Sequence, residues 1–208
     1  MISLAAVIVI SYLAGSIPFS YIAGRLKADI DLREHGSGNL GASNTYRLLG
    51  ARTAGLVLSG DIAKGFLPVF FAAALDWQHA LDPLWPQLAA ALFAVLGHMY
   101  SIYLRFSGGK GIATSAGAFL ALMPWATLFA FALWASVLAA RRVVSLASLS
   151  AALALPFIVY GTGRLGLADF RWELVYLSIV VSLAVLVRHR RNIQRLLKGS
   201  EPVLKRTK

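Results

Sequence analysis

Membrane-length apolar runs constrain this chain before anything else does. Near 2–25, 53–75, 86–104, 110–122, 124–140, 144–161 and 172–188 the sequence is almost continuously apolar, and about 20 such residues in a helix cross roughly 30 Å of hydrocarbon. In lipid every backbone polar group must be satisfied internally, which long uninterrupted runs achieve as helices. Of 208 residues, 58% are hydrophobic and 14% charged, against about 25% charged in a soluble domain. The length leaves room for one membrane-embedded domain over 1–208 and no separate soluble one. The expected fold is therefore an all-α integral membrane protein, a bundle of about seven transmembrane or membrane-embedded helices. Segment 110–122 offers only about 20 Å of helix, too short to cross unaided, and Pro124 separates it from the next run. The first run, from Ile2 to about Ile22, exceeds a signal-peptide core of roughly 7–15 residues and reads as a permanent span.

The net charge of +11 is unevenly placed. Odd-numbered connections hold Arg25, Lys27, Arg33, Arg47 and Arg52, then Arg105 and Lys110, then Arg141 and Arg142. The tail adds Arg188, Arg190, Arg191, Arg195, Lys198, Lys205, Arg206 and Lys208. Arg164 and Arg171 fall opposite, and Lys64 falls within a run. The positive-inside rule then puts the amino terminus outside and the carboxyl terminus in the cytoplasm. This charge serves topology rather than nucleic acid, since no soluble segment interleaves basic and aromatic residues. Trp77, Trp85, Trp125 and Trp172 flank the predicted outer ends, where an aromatic belt belongs. The absence of cysteine excludes disulfides, thiolate metal sites and thioester intermediates.

Three polar islands interrupt the apolar runs, and the predicted topology places all three on the cytoplasmic side, where they can form one site. In the first, Gly36, Gly38 and Gly41 allow close backbone approach to a ligand, while Ser37, Asn39, Ser43, Asn44 and Thr45 supply donors. Arg47 follows with a fork suited to phosphate. A capped turn between helices is the plainer reading of the glycines. In the second, Gly108, Gly109, Lys110 and Gly111 open the short segment ahead of Thr114, so helix N–H groups and an ammonium converge on one anion. It is not a nucleotide P-loop, because position 104 is Leu and Gly111 stands where Ser or Thr should follow the lysine. The third holds His189 and Asn192 on one helical face among Arg188, Arg190 and Arg191. Ser145 and Ser148 can add hydroxyls or serve as caps. Asp61 and Lys64 fit an i, i+3 pair inside the membrane, and His98 lies near a helix end.

These islands, together with Gly15-Ser16-Ile17-Pro18-Phe19, Asp61-Ile62-Ala63-Lys64-Gly65, Gly97-His98 and Glu201, resemble the bacterial acyl-phosphate:glycerol-3-phosphate acyltransferases, the PlsY family, from end to end. Two positions depart from the pattern: Ser43 replaces a usual threonine, and Ser101 a common proline. The resemblance implies transfer of a fatty acyl group from acyl phosphate to the sn-1 hydroxyl of glycerol 3-phosphate. The products are lysophosphatidate and inorganic phosphate, and the step is the first acylation of phospholipid synthesis. It implies an inner-membrane protein whose site faces the cytoplasm.

The same resemblance implies that Gly41, Ala42, Ser43 and Ser148 surround the donor phosphate, while Ser37, Arg47, Lys110, His189 and Asn192 clamp the acceptor. Gly38, Asn39, Asn44, Gly108, Gly109, Gly111, Thr114 and Ser145 complete the phosphate loops, and Glu201 holds the tail. Acyl phosphate carries its own leaving group, so no cofactor or metal is expected. The base is His189 or the substrate's own phosphate, whose second pKa is about 6. The expected partners are the two substrates and membrane lipid, one chain is taken as the working unit, and no feature identifies a protein that delivers the donor. A carrier-dependent acyltransferase would show Asp five residues after a His; Leu40, Leu84, Tyr103 and Gln194 stand there instead. The scattered acidic residues do not suit a metal-dependent phosphotransferase. A transporter for a phosphorylated metabolite is the competing class, but no inverted repeat is evident.

Overall fold

The computed structural model describes residues 3–75 and 82–204. Trp77, the Ile2 start of the first run, and Lys205, Arg206 and Lys208 lie outside them. Every regular element among the described residues is helical, and two compact units divide the chain, Met1–Leu122 and Met123–Lys208.

The first unit contains α1 (Leu4–Ser16), α2 (Phe19–Ala28), α3 (Ala42–Ala74), α4 (Leu84–Met99), a 3-10 turn (Ile102–Leu104) and α5 (Ile112–Leu122). Ser3 caps α1 by accepting from the Ala6 N–H at 3.2 Å. Within the predicted 2–25 run, Pro18 lacks an N–H and breaks the helix, so α1 and α2 replace one continuous helix. Helix α3 starts 11 residues before its predicted span. Gly50, at φ 80, divides a short surface helix from the membrane portion. The second unit contains α6 (Pro124–Arg141), α7 (Val144–Arg164), α8 (Trp172–Arg188) and α9 (Arg190–Leu197). Pro124 sits at the first position of α6, where its missing N–H costs nothing.

Five helical stretches are long and apolar enough to cross a membrane. A sixth arises if α8 and α9, bent by 63°, count together, and α5 is the shorter apolar helix. Each predicted segment thus has a helical counterpart, and α9 is additional. Trp85, Trp125 and Trp172 are each about half exposed, as an interfacial belt requires.

Small residues set the packing of the first unit. A Cβ on Gly15 would collide with the Ala94 carbonyl, and one on Gly97 with the Tyr12 carbonyl, so α1 and α4 cross backbone to backbone. Helices α3 and α5 do likewise, with Gly65 against the Thr114 carbonyl and Gly117 against the Ile62 carbonyl. Lipid offers no hydrophobic drive between helices, so close packing of this kind is what joins them. Gly117→Ala should therefore push α5 off α3 and destabilise the protein by about 1–3 kcal/mol, read as a lower melting temperature in detergent. Gly55→Ala, at a position open for 4 Å, is the control expected to keep or raise it.

In the second unit α7 packs against both α6 and α8. Trp134 Nε1 donates to Ser148 Oγ at 3.3 Å, and Ser182 Oγ donates to the Ala152 carbonyl at 2.6 Å. The tail returns to the α6–α7 turn, where the Leu204 N–H donates to the Arg142 carbonyl at 2.8 Å.

Candidate active site

Two glycine-bearing loops meet within the first unit. Leu32 and Leu40 of the first loop form a buried cluster with Leu104 of the 3-10 turn, backed by Tyr21, Ile30 and Leu49. Above that cluster the loops touch main chain to main chain: a Cβ on Gly109 would collide with the Leu40 carbonyl. Islands about 70 residues apart in sequence thus meet in space.

Asn44 shapes the first loop. Its side chain, 1% exposed, accepts from the Ser37 N–H at 2.9 Å and donates to the Leu32 and His35 carbonyls at 3.1 and 3.0 Å. The amide is thereby committed to backbone, and it leaves the Ser37 side chain exposed at the loop surface. Arg33 forks onto both Asp31 oxygens at 2.6–3.0 Å and stacks over Tyr21. This bond, opposed by burial, holds the Asp31 carboxyl below its usual range. Gly36 and Gly38 take φ of +63 and +69, a region open to glycine without steric cost. Gly38 and Asn39 complete this stretch of loop. Gly41 then caps α3 without a side-chain bond, so the first-turn N–H groups of Ala42 and Ser43 open the helix toward the loop. Arg47 stands four residues after Ser43 on the same face, exposed.

The second loop descends from a costly turn. Arg105 and Phe106 are both left-handed, at φ 52 and 61, each about 1–2 kcal/mol above a right-handed conformation. The Phe106 N–H donates to the Ser101 carbonyl at 2.7 Å and the Gly109 N–H to the His98 carbonyl at 3.0 Å. Gly111, at φ +85, turns the chain into α5 and leaves Lys110 half-buried at its mouth. Thr114 lies deeper: it is fully buried, its hydroxyl has no hydrogen-bond partner among the described residues, and its carbonyl faces Gly65.

The second unit holds the third island. His189 caps α8 at the bend into α9 and is 1% exposed. Its Nδ1 lies 2.9 Å from the Val185 carbonyl. A carbonyl only accepts, so Nδ1 carries the hydrogen and Nε2 is the nitrogen able to take a proton. Asn192, one turn on, donates to Glu201 Oε1 at 2.5 Å, while Ser145 donates to that oxygen at 2.7 Å and Arg195 to Oε2 at 2.6 Å. Ser145 is thus committed to the tail. Ser148 accepts from Trp134, so its own hydroxyl hydrogen is what it has to offer a ligand.

Burial raises the Glu201 carboxyl, but the bonds from Arg195, Ser145 and Asn192 outweigh it and leave the group below its usual 4.5. A depressed folded pKa contributes stability that is present above pH 4.5 and lost as pH falls through the folded value. Acidification below pH 4.5 should therefore release the tail, read as faster cleavage near Leu196 and Leu197 by an acid-active protease such as pepsin, with trypsin at Arg195 and Lys198 reading the same segment at neutral pH. Glu201→Gln, which loses the ion pair, should bring that accessibility to neutral pH at a cost of about 1–3 kcal/mol. Unchanged cleavage in both tests would remove Glu201 from its role as the tail's anchor.

Residues 5–199 match the family described as glycerol-3-phosphate acyltransferase. Relatives with the same description come from Geotalea daltonii (41% identical, 99% of this chain and 100% of theirs) and Geobacillus kaustophilus (42%, 97% and 96%). Two crystal structures of PlsY (YgiH), described as an integral membrane glycerol 3-phosphate acyltransferase, match over 97% of this chain. The glycerol 3-phosphate form gives a TM-score of 0.86 at 36% identity over 96% of that chain. The lysophosphatidic acid form gives 0.83 at 35% over 95%.

Proposed function

Because the chain belongs to the glycerol-3-phosphate acyltransferase family, we propose a division of labour among its loops for the acyl transfer that this family performs on glycerol 3-phosphate in phospholipid synthesis. The protein is a multi-pass membrane acyltransferase. The acyl donor is an acyl phosphate, a mixed anhydride that brings its own leaving group. The sn-1 hydroxyl oxygen bonds to the acyl carbon, the carbon–oxygen bond to phosphate breaks, and phosphate departs with that electron pair. The hydroxyl proton passes to His189 Nε2 or to substrate phosphate. Lysophosphatidate and inorganic phosphate result.

The observation that carries this reading is the main-chain junction of the two glycine loops beside Lys110. Two phosphates must approach each other in this reaction, and their repulsion is the chief obstacle to alignment. The opening N–H groups of α3 at Ala42 and Ser43, with Gly41 and the Ser148 hydroxyl, bind the donor phosphate. Lys110, on a loop that Gly108 and Gly109 seat closely against His98 and Leu40 and that Gly111 turns into α5, balances the charge of both phosphates. Ser37 and Arg47 grip the acceptor phosphate, with Asn44 shaping the loop that presents Ser37. His189 and Asn192 orient the acceptor hydroxyl, and Ser145 and Glu201 fix Asn192 from behind. The excess of positive charge in the connecting loops supports a cytoplasmic position for this chemistry in the bacterial inner membrane.

The test is phosphate release from palmitoyl phosphate by purified protein, with and without glycerol 3-phosphate and in the absence of CoA and acyl carrier. Acceptor-dependent release with lysophosphatidate formed is the expected result. Folded protein that works only with acyl-CoA would overturn the donor assignment.

A further inference from the structure

Three ionisable groups inside the first unit take no part in the chemistry above. Asp61 and Lys64, on α3, are 2.7 Å apart, and His98 Nδ1, on α4, lies 3.5 Å from the same Asp61 oxygen. All are buried. Lys64 also donates at 2.7 Å to the carbonyl of Ile17, at the break between α1 and α2. A small cavity of about 10 Å³ borders the group and is lined by Ser16, Asp61, Lys64, His98, Gly108 and Gly109 among others. The second phosphate loop rests directly on the histidine. The Gly109 N–H donates to the His98 carbonyl at 3.0 Å, a Cβ on Gly109 would strike the ring at Nε2, and one on Gly108 would strike the His98 carbonyl.

We propose that Asp61, Lys64 and His98 form a positioning network that sets where the Gly108–Lys110 loop stands, by locking the His98 ring beneath Gly109. Asp61 faces Nδ1 and so orients the ring with its Nε2 edge toward the loop. Lys64 fixes Asp61 and ties it to the broken first span. Charges within an apolar span are expensive, and apolar packing would join these helices at lower cost. The network's return is geometric, because a loop that balances two phosphates loses its effect when displaced by about 1 Å. This inference rests on the assignment of Lys110 to the phosphates.

The cysteine-free chain allows a spin label at Ser107→Cys, exposed beside the loop, and a control label at Ser136→Cys on α6, also exposed. His98→Ala should mobilise the Ser107 label, leave the Ser136 label unchanged and lower kcat/KM on the order of 10–100-fold. His98→Asn keeps an amide in place of Nδ1–H toward Asp61 but has no ring edge beneath Gly109, so it should leave the Ser107 label mobile. His98→Gln, of similar size but with its amide away from Asp61, should do the same, and it keeps the test decisive if the alanine variant is recovered poorly. An immobile Ser107 label in the Ala and Gln variants, a mobile label with full activity, or equal loosening at both sites would each overturn the proposal. The Lys110 assignment is tested apart from this by Lys110→Met, whose activity could refute it without altering the label result.

Discussion

Lys110→Met should lower kcat by about 10²–10³-fold while leaving the protein folded. That is the scale for removing one preorganised electrostatic contact from a transition state. The methionine keeps most of the length of the side chain and discards its charge and its N–H donors. Lys110 is half-buried at the entrance to an 11-residue helix, so its ammonium adds to the positive end of that helix at the point where an anion would sit. Phosphate release from an acyl phosphate, measured at saturating glycerol 3-phosphate, reads the effect. Lys110→Arg should recover part of the rate, since it restores charge with a broader head. A methionine variant within threefold of the parent rate would show that the helix N–H groups suffice for both phosphates.

His189→Ala should be the next most damaging change, with kcat reduced by about 10²–10⁴-fold, the range for a positioned acid–base group. His189→Asn refines the result. Its amide preserves a donor toward the Val185 carbonyl, which Nδ1 meets at 2.9 Å, and removes the nitrogen that can take a proton. A large kcat loss in both variants makes Nε2 the proton acceptor. A defect in the asparagine variant confined to the KM for glycerol 3-phosphate assigns His189 to holding the acceptor and leaves proton transfer to the substrate phosphate.

Hydrophobic run length carried the membrane helices, since a 20-residue apolar segment has few alternatives in lipid. The three islands were legible for the complementary reason: clustered glycines and cations have no place in such helices. Local breaks were harder to read. Pro18 was visible as a residue but not as the end of α1, because a proline inside an apolar run can also kink a continuous helix. The short helix from Ala42 to the break at Gly50 begins inside what looked like a polar loop, and its asparagine proved to bond backwards to Ser37, Leu32 and His35. The Asp61–Lys64 pair was readable from its spacing. His98 was not readable as its third member, because α4 reaches α3 only through tertiary packing, which no local pattern encodes.

The backbone junction of the two loops also bears on how such a protein can change over generations. Where Gly108 and Gly109 meet His98 and Leu40, every other amino acid brings an atom into space already filled by main chain or ring. A substitution at either position must shift main chain or the His98 ring, so the contour of the loop junction resists single changes. Diversification toward other acceptors is channelled instead to Ser37 and Arg47, the two residues proposed to grip the acceptor, whose side chains are not fully enclosed. In this fold, conservation of chemistry and freedom to explore substrates are assigned to different residues of the same two loops.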